Sequence, residues 1–80
     1  MKTMLSITKE FLQDRSGVDF NEIFEEVELL LRDKWTQEAI NKNISYEEMC
    51  VKKTGELYKI MTVDKSFKYE KGNTWSLNEI

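Results

Sequence analysis

Apolar residues recur along this chain first at helical spacing and then, towards its end, at strand spacing. Leu5, Thr8, Phe11 and Leu12 form one stripe with Lys9, Glu10, Gln13 and Asp14 outside it, which predicts a first helix from about Thr3 to Arg15. Ser16-Gly17 ends it, the glycine supplying a left-handed stop. Ile23, Val27, Leu30 and Leu31, reinforced by Phe24, begin a second series that Trp35 and Ala39 continue in steps of four. That series predicts a helix from Phe20 to Asn41, with Lys34–Gln37 as the place for a break. Glu22, Glu25, Glu26 and Glu28 fall on its opposite face. Beyond the polar connector Asn41-Lys42-Asn43, a third stripe of Tyr46, Cys50, Thr54, Leu57 and Met61 carries Lys52, Lys53, Glu56 and Lys59 outward or on its flank.

Two helix starts share one local grammar. In Val18-Asp19-Phe20-Asn21-Glu22-Ile23, Asp19 is placed as N-cap, Glu22 as the residue closing a capping box, and Val18 as a staple onto Ile23. Ile44-Ser45-Tyr46-Glu47-Glu48-Met49 repeats the design with Ser45, Glu48 and the Ile44–Met49 pair. Gly55 stands inside the third helix at a cost of about 1 kcal/mol relative to alanine, and marks either a close approach by another helix or a weak spot. After Met61 the period changes. Phe67-Lys68-Tyr69 alternates, Glu70-Lys71-Gly72-Asn73 turns the chain, and Thr74-Trp75-Ser76-Leu77 returns it as a hairpin. Phe67, Tyr69, Trp75 and Leu77 share one face, and a lone two-stranded hairpin needs such a face packed on helices.

Composition narrows the classes. Eighty residues at 40% hydrophobic and 34% charged describe one small domain over residues 1–80 with a modest core. The longest apolar run is Leu29–Leu31, far short of a membrane span, and charges at Lys9, Glu10, Asp14 and Arg15 interrupt any apolar leader, so a cytoplasmic location is expected. With one cysteine, Cys50, and no histidine, no intrachain disulfide forms and the usual zinc sets and His-dependent nucleophilic constellations are excluded. Three scattered glycines make no phosphate loop. No catalytic residue, metal or cofactor is therefore expected. The net charge of −3 is uneven: residues 1–50 hold 6 Lys/Arg against 11 Asp/Glu, giving −5, and residues 51–80 hold 6 against 4, giving +2. A nucleic-acid binder is normally basic overall, so only a local basic patch is on offer.

Three helices followed by a hairpin wing are a helix-turn-helix variant, giving an α+β, winged-helix-like expectation with a short third strand near Val18 as an optional addition. Phe20-Asn21-Glu22-Ile23-Phe24-Glu25-Glu26-Val27, then Leu57-Tyr58-Lys59-Ile60-Met61-Thr62-Val63-Asp64-Lys65-Ser66-Phe67, then Asn73-Thr74-Trp75-Ser76-Leu77 resemble the N-terminal domain of the delta subunit of bacterial RNA polymerase. That family belongs to the HARE-type helix-turn-helix group, and the likeness covers roughly residues 5–78. Lys65-Ser66 stands where the pattern has Gly-Arg, Ser76 where it has glycine, and residues 32–48 are longer than the usual connection, with Trp35 lacking a counterpart. The resemblance implies a transcription accessory domain that docks on bacterial core RNA polymerase and modulates initiation and recycling. Members carry a long acidic tail after this domain, whereas the sequence here stops at Ile80, so only the docking half of the role carries over.

Candidate contact residues divide by charge. Lys52, Lys53, Lys59, Lys65, Lys68 and Lys71 form a cationic set on helix three and the wing, where winged helices meet DNA or an acidic protein patch. Glu22, Glu25 and Glu26 form an acidic set suited to a basic groove, or an ordinary solvated face whose first-turn acids favour the helix dipole. Tyr58, Phe67, Tyr69 and Trp75 read as core between hairpin and helices rather than as a platform for bases. Trp35 reads as core, and Cys50 as an inert thiol on the buried stripe. The expected state is a monomer with a protein partner, weak nucleic-acid contact being secondary and membrane contact absent. A winged-helix DNA-binding regulator is the alternative, and an enzyme subunit using paired carboxylates with a metal is the remote one.

Overall fold

The helical and strand periods read from the sequence become six elements: α1 (Met4–Leu12), β1 (Val18–Asp19), α2 (Phe20–Lys42), α3 (Tyr46–Val63), β2 (Phe67–Glu70) and β3 (Thr74–Leu77). They are seen in a computed structural model that describes residues 2–78. Together they make an α+β domain of three helices and a three-stranded antiparallel sheet, an arrangement compatible with a helix-turn-helix-like fold.

Helix α1 starts at a reciprocal cap. Ser6 N–H donates to Thr3 Oγ1 at 3.1 Å and Thr3 N–H donates to Ser6 Oγ at 2.8 Å, so a serine takes the place of the usual acid. The helix ends at Leu12, short of Arg15, whose guanidinium turns back to the Phe11 carbonyl at 2.9 Å and lies 4.2 Å over the Phe11 ring. Ile7, Thr8 and Leu12 are the buried residues, while Leu5 and Phe11 are only half-buried. Thr8 can be buried because its hydroxyl donates to the Met4 carbonyl at 2.8 Å.

Helix α2 runs unbroken through Lys34–Gln37 and buries Ile23, Val27, Leu31, Trp35 and Ala39. A step of four residues overshoots a full turn, so this face rotates by about 160° between Ile23 and Ala39. One helix can thus serve two partners, α1 near Glu26 and Leu30 and α3 near Trp35 and Glu38. Leu30, expected in the core, is about half exposed for the same reason. Helix α3 buries Met49, Lys53, Leu57 and Met61, again in steps of four, and facing ridges of that kind favour a steep crossing of about −50°. The expected stripe of Tyr46, Cys50 and Thr54 lies half-buried beside it. Between the helices, Asn43 adopts φ 57°, its N–H donates to Ile40 O at 3.1 Å, and Ile44 N–H reaches Ala39 O at 3.0 Å, a Schellman ending that satisfies the last carbonyls.

The sheet order is β1-β3-β2. The short strand at Val18 is present, pairing Val18 with Trp75 and Asp19 with Thr74. Val18 is buried in the same core as Ile23, and Asp19 accepts a hydrogen bond from Asn21 N–H at 2.8 Å instead of forming a box with Glu22. Ser45 does cap α3, accepting from Glu48 N–H at 3.0 Å. The hairpin pairs Phe67 with Leu77 and Tyr69 with Trp75. Its loop places Gly72 and Asn73 at φ 72° and 62°, which suits glycine and asparagine. Phe20 N–H donates to the Asn73 carbonyl at 3.1 Å, tying the start of α2 to this turn.

Phe67 and Trp75 are buried as expected, but Tyr58 and Tyr69 are 45% and 56% exposed. A Cβ added at Gly55 would meet nothing within 4 Å, so no neighbouring helix needs that glycine. Gly55→Ala is therefore expected to stabilise the fold by about 0.5–1 kcal/mol through lost freedom in the unfolded chain. Thermal unfolding by circular dichroism checks this, and a lowered midpoint would refute it.

Candidate functional site

Strand β2 alternates, so Phe67 and Tyr69 turn towards α3 while Lys68 turns to the far side of the sheet. Opposite them, α3 brings Tyr58, Met61 and Thr62, and the three elements enclose an open groove of about 320 Å³ with Trp75 in its wall. Tyr69 meets Trp75 edge-on with ring centroids 5.1 Å apart, and Tyr58 meets it at 6.1 Å and Phe20 at 5.5 Å. The phenol hydroxyl explains why these two rings sit at the rim: it prefers water, while the ring edge can still pack on the tryptophan. Trp75 itself is 2% exposed, and its indole N–H has no acceptor among the described residues. An unsatisfied buried donor typically costs about 1–3 kcal/mol.

The six candidate lysines do not form one patch. Lys53 is only 9% exposed: its ammonium donates to Glu38 at 3.0 Å, sits 3.6 Å from Glu56, and lies 5.9 Å from the Trp35 ring. It bridges α3 to α2 and lies inside rather than on the surface with the other five. Met49, Leu57 and Met61 continue its spacing of four, which is the signal that could have placed it inside. Lys52 and Lys59 are exposed on α3, Lys65 lies between α3 and β2, Lys68 is on the outer face of the sheet and Lys71 is in the hairpin loop. None of these five makes an ion pair among the described residues. Lys59 also borders a shallow apolar groove with Ile60, Val63 and Asp64.

The acidic set is likewise divided. Glu22 and Glu25 are exposed on α2, whereas half-buried Glu26 faces a groove with Lys2, Glu10 and Arg15 of the α1 region. Glu28, expected to face away, instead joins α2 to α3. It accepts from Tyr46 OH at 2.5 Å and pairs with Arg32 at 2.8 Å. The Arg32 hydrogen bond, followed by that of Tyr46, holds the Glu28 carboxyl below its ordinary range. Burial, then the Glu28 hydrogen bond, raises the Tyr46 phenol. Lys53 in the same way lowers Glu38. Groups depressed on folding stabilise above their unfolded pKa and lose that contribution as pH falls through the folded value. Stability should accordingly decline as pH falls below about 4.5, with Glu28→Gln and Glu38→Gln each flattening the decline. Urea unfolding at a series of pH values measures it; an unchanged slope in both variants would refute the assignment.

Ser76 has a buried hydroxyl that accepts from Gly17 N–H at 2.8 Å and donates to Glu70 at 2.6 Å. This links both edge regions of the sheet through its middle strand. No helix among the described residues is long and apolar enough to cross a membrane, and no group of three or more His, Cys, Asp or Glu gathers there to hold a metal ion. Comparison of the chain with protein-family models, with curated proteins and with solved structures finds no match.

Proposed function

We propose that this chain is a winged-helix-like protein-docking domain without catalytic activity of its own, and that its partner is bacterial core RNA polymerase, on which it acts as a delta-subunit-like accessory factor in transcription. One observation carries the reading: the three segments that resemble the delta-type pattern pack into a single core. Phe20, Ile23 and Val27 from the first, Leu57, Met61 and Phe67 from the second and Trp75 from the third are all buried together. These residues support the architecture, and the named partner comes from the resemblance alone. The outward faces fit a docking role, since they hold exposed tyrosines, lysines that make no ion pair among the described residues, and the exposed Glu22 and Glu25.

The test is retention of purified bacterial core polymerase by the full chain carrying an affinity tag. Stoichiometric co-elution is the expected result, and polymerase passing unretained would overturn the partner. A duplex-DNA gel shift run alongside is expected to show no complex. A complex that weakens steeply with salt would transfer the domain to the DNA-binding class.

A further inference from the structure

Strand order leaves the outer edge of β2 without a neighbouring strand among the described residues, and the aromatic groove is lined by Phe67 and Tyr69 of that strand. Along a sheet, an added strand repeats the alternation of the one it joins, so every second side chain would enter the groove against Phe67, Tyr69 and Tyr58. The intervening side chains would come alongside Lys68 on the far face. The groove of about 320 Å³ is at the small end of ligand pockets, which span about 300–1,000 Å³, and suits one anchoring side chain rather than a whole small molecule. No carboxylate lines it. Lys65, Lys68 and Lys71 flank or occupy the strand and make no ion pair among the described residues, while Glu70, the carboxylate on the Lys68 face of the strand, is engaged by the Ser76 hydroxyl at 2.6 Å.

We propose that the β2 edge and its groove receive an extended, acidic segment of a partner protein, with one large apolar side chain in the groove and an acid on either side of it. Charge selects the occupant. A second copy aligned with Lys68 facing Lys68 would set lysine against lysine, which is how edge strands commonly avoid pairing with themselves, whereas an acidic side chain opposite Lys68 meets complementary charge. The inference rests on the docking reading for its choice of a protein partner, and it names the surface and the chemistry recognised.

The experiment is an amide NMR titration of the isotope-labelled full chain with a blocked heptapeptide in which glutamate alternates with phenylalanine and valine. The same peptide with lysine for each glutamate, and a short oligodeoxythymidylate, serve as comparisons. Shifts should concentrate in Phe67–Glu70, Tyr58, Thr62 and the Trp75 indole N–H, with the glutamate peptide binding at least about tenfold more tightly than its lysine counterpart. Lys68→Glu should weaken it by about fivefold or more while leaving the melting temperature within a few degrees, since that side chain is exposed, and Tyr69→Phe, which keeps the edge contact with Trp75, should leave binding and melting temperature close to the parent values. No shift with the glutamate peptide, equal response to both peptides, or binding of the oligonucleotide alone would overturn the proposal. Polymerase retained equally by the Lys68→Glu chain would sink this surface and leave the docking reading standing; peptide binding without polymerase retention would do the reverse.

Discussion

Trp75→Ala is expected to unfold most of the protein near physiological temperature. The side chain is 2% exposed, packs edge-on against Tyr58 and Tyr69, and sits in the strand that both others pair with. Truncating a buried tryptophan costs about 3–5 kcal/mol, part transfer and part cavity, because the backbone of a paired middle strand cannot collapse into the space. A domain of this size has about 4–12 kcal/mol in total. At about 4–8 °C per kcal/mol, the melting midpoint should drop by well over 10 °C. Trp75→Phe separates the causes. It retains a buried ring and removes the N–H that has no acceptor, so it should cost less than half as much. Equal loss in the two variants would mean that ring burial is not what holds the sheet to the helices.

Trp35→Ala should cost a similar amount, about 3–5 kcal/mol, by a different route. Trp35 is also 2% exposed, stacks on Phe24 with centroids 5.7 Å apart and lies beneath the Lys53 ammonium. Its removal takes away the packing that positions the Lys53–Glu38 bridge between α3 and α2. A double-mutant cycle of Trp35→Leu with Lys53→Met, read by urea unfolding, is expected to give a coupling of about 0.5–2 kcal/mol. Additivity would show that ring and ammonium act independently. Because Lys53→Met replaces charge by an apolar chain of similar length, it should be milder than Lys53→Ala, which opens space around Glu38 as well.

The parts of the fold that were legible are those whose signal spans many residues. Leu31, Trp35 and Ala39 announce the long second helix because one spacing persists through them, and Trp35 is buried where that arithmetic puts it. The change of period after Met61 likewise locates the hairpin. Two residues, Val18 and Asp19, are too few to show alternation, so β1 could only be raised as an option. Lys53 was not legible as buried, because charge ordinarily marks solvent and its partner Glu38, which makes the burial tolerable, lies on another helix. Tyr58 and Tyr69 show the converse: aromatic character suggests core, but Phe67 and Trp75 are the buried rings, and the hydroxylated ones stay at the rim. Of the candidate site, the exposed lysines other than Lys53 were legible as surface. The groove was not, since it arises from a helix and a strand meeting in space, which no local spacing encodes.

The order in which the strands are made differs from the order in which they lie. During synthesis β1 emerges early and β2 much later, yet each can pair only with β3, the last of the three. Until then the nascent polypeptide carries Val18, Phe20 and Phe67 with no strand between them to cover. Such a chain should accumulate few half-finished states that survive proteolysis and should acquire protection in one late step, a behaviour that arrested ribosome complexes of increasing length would reveal.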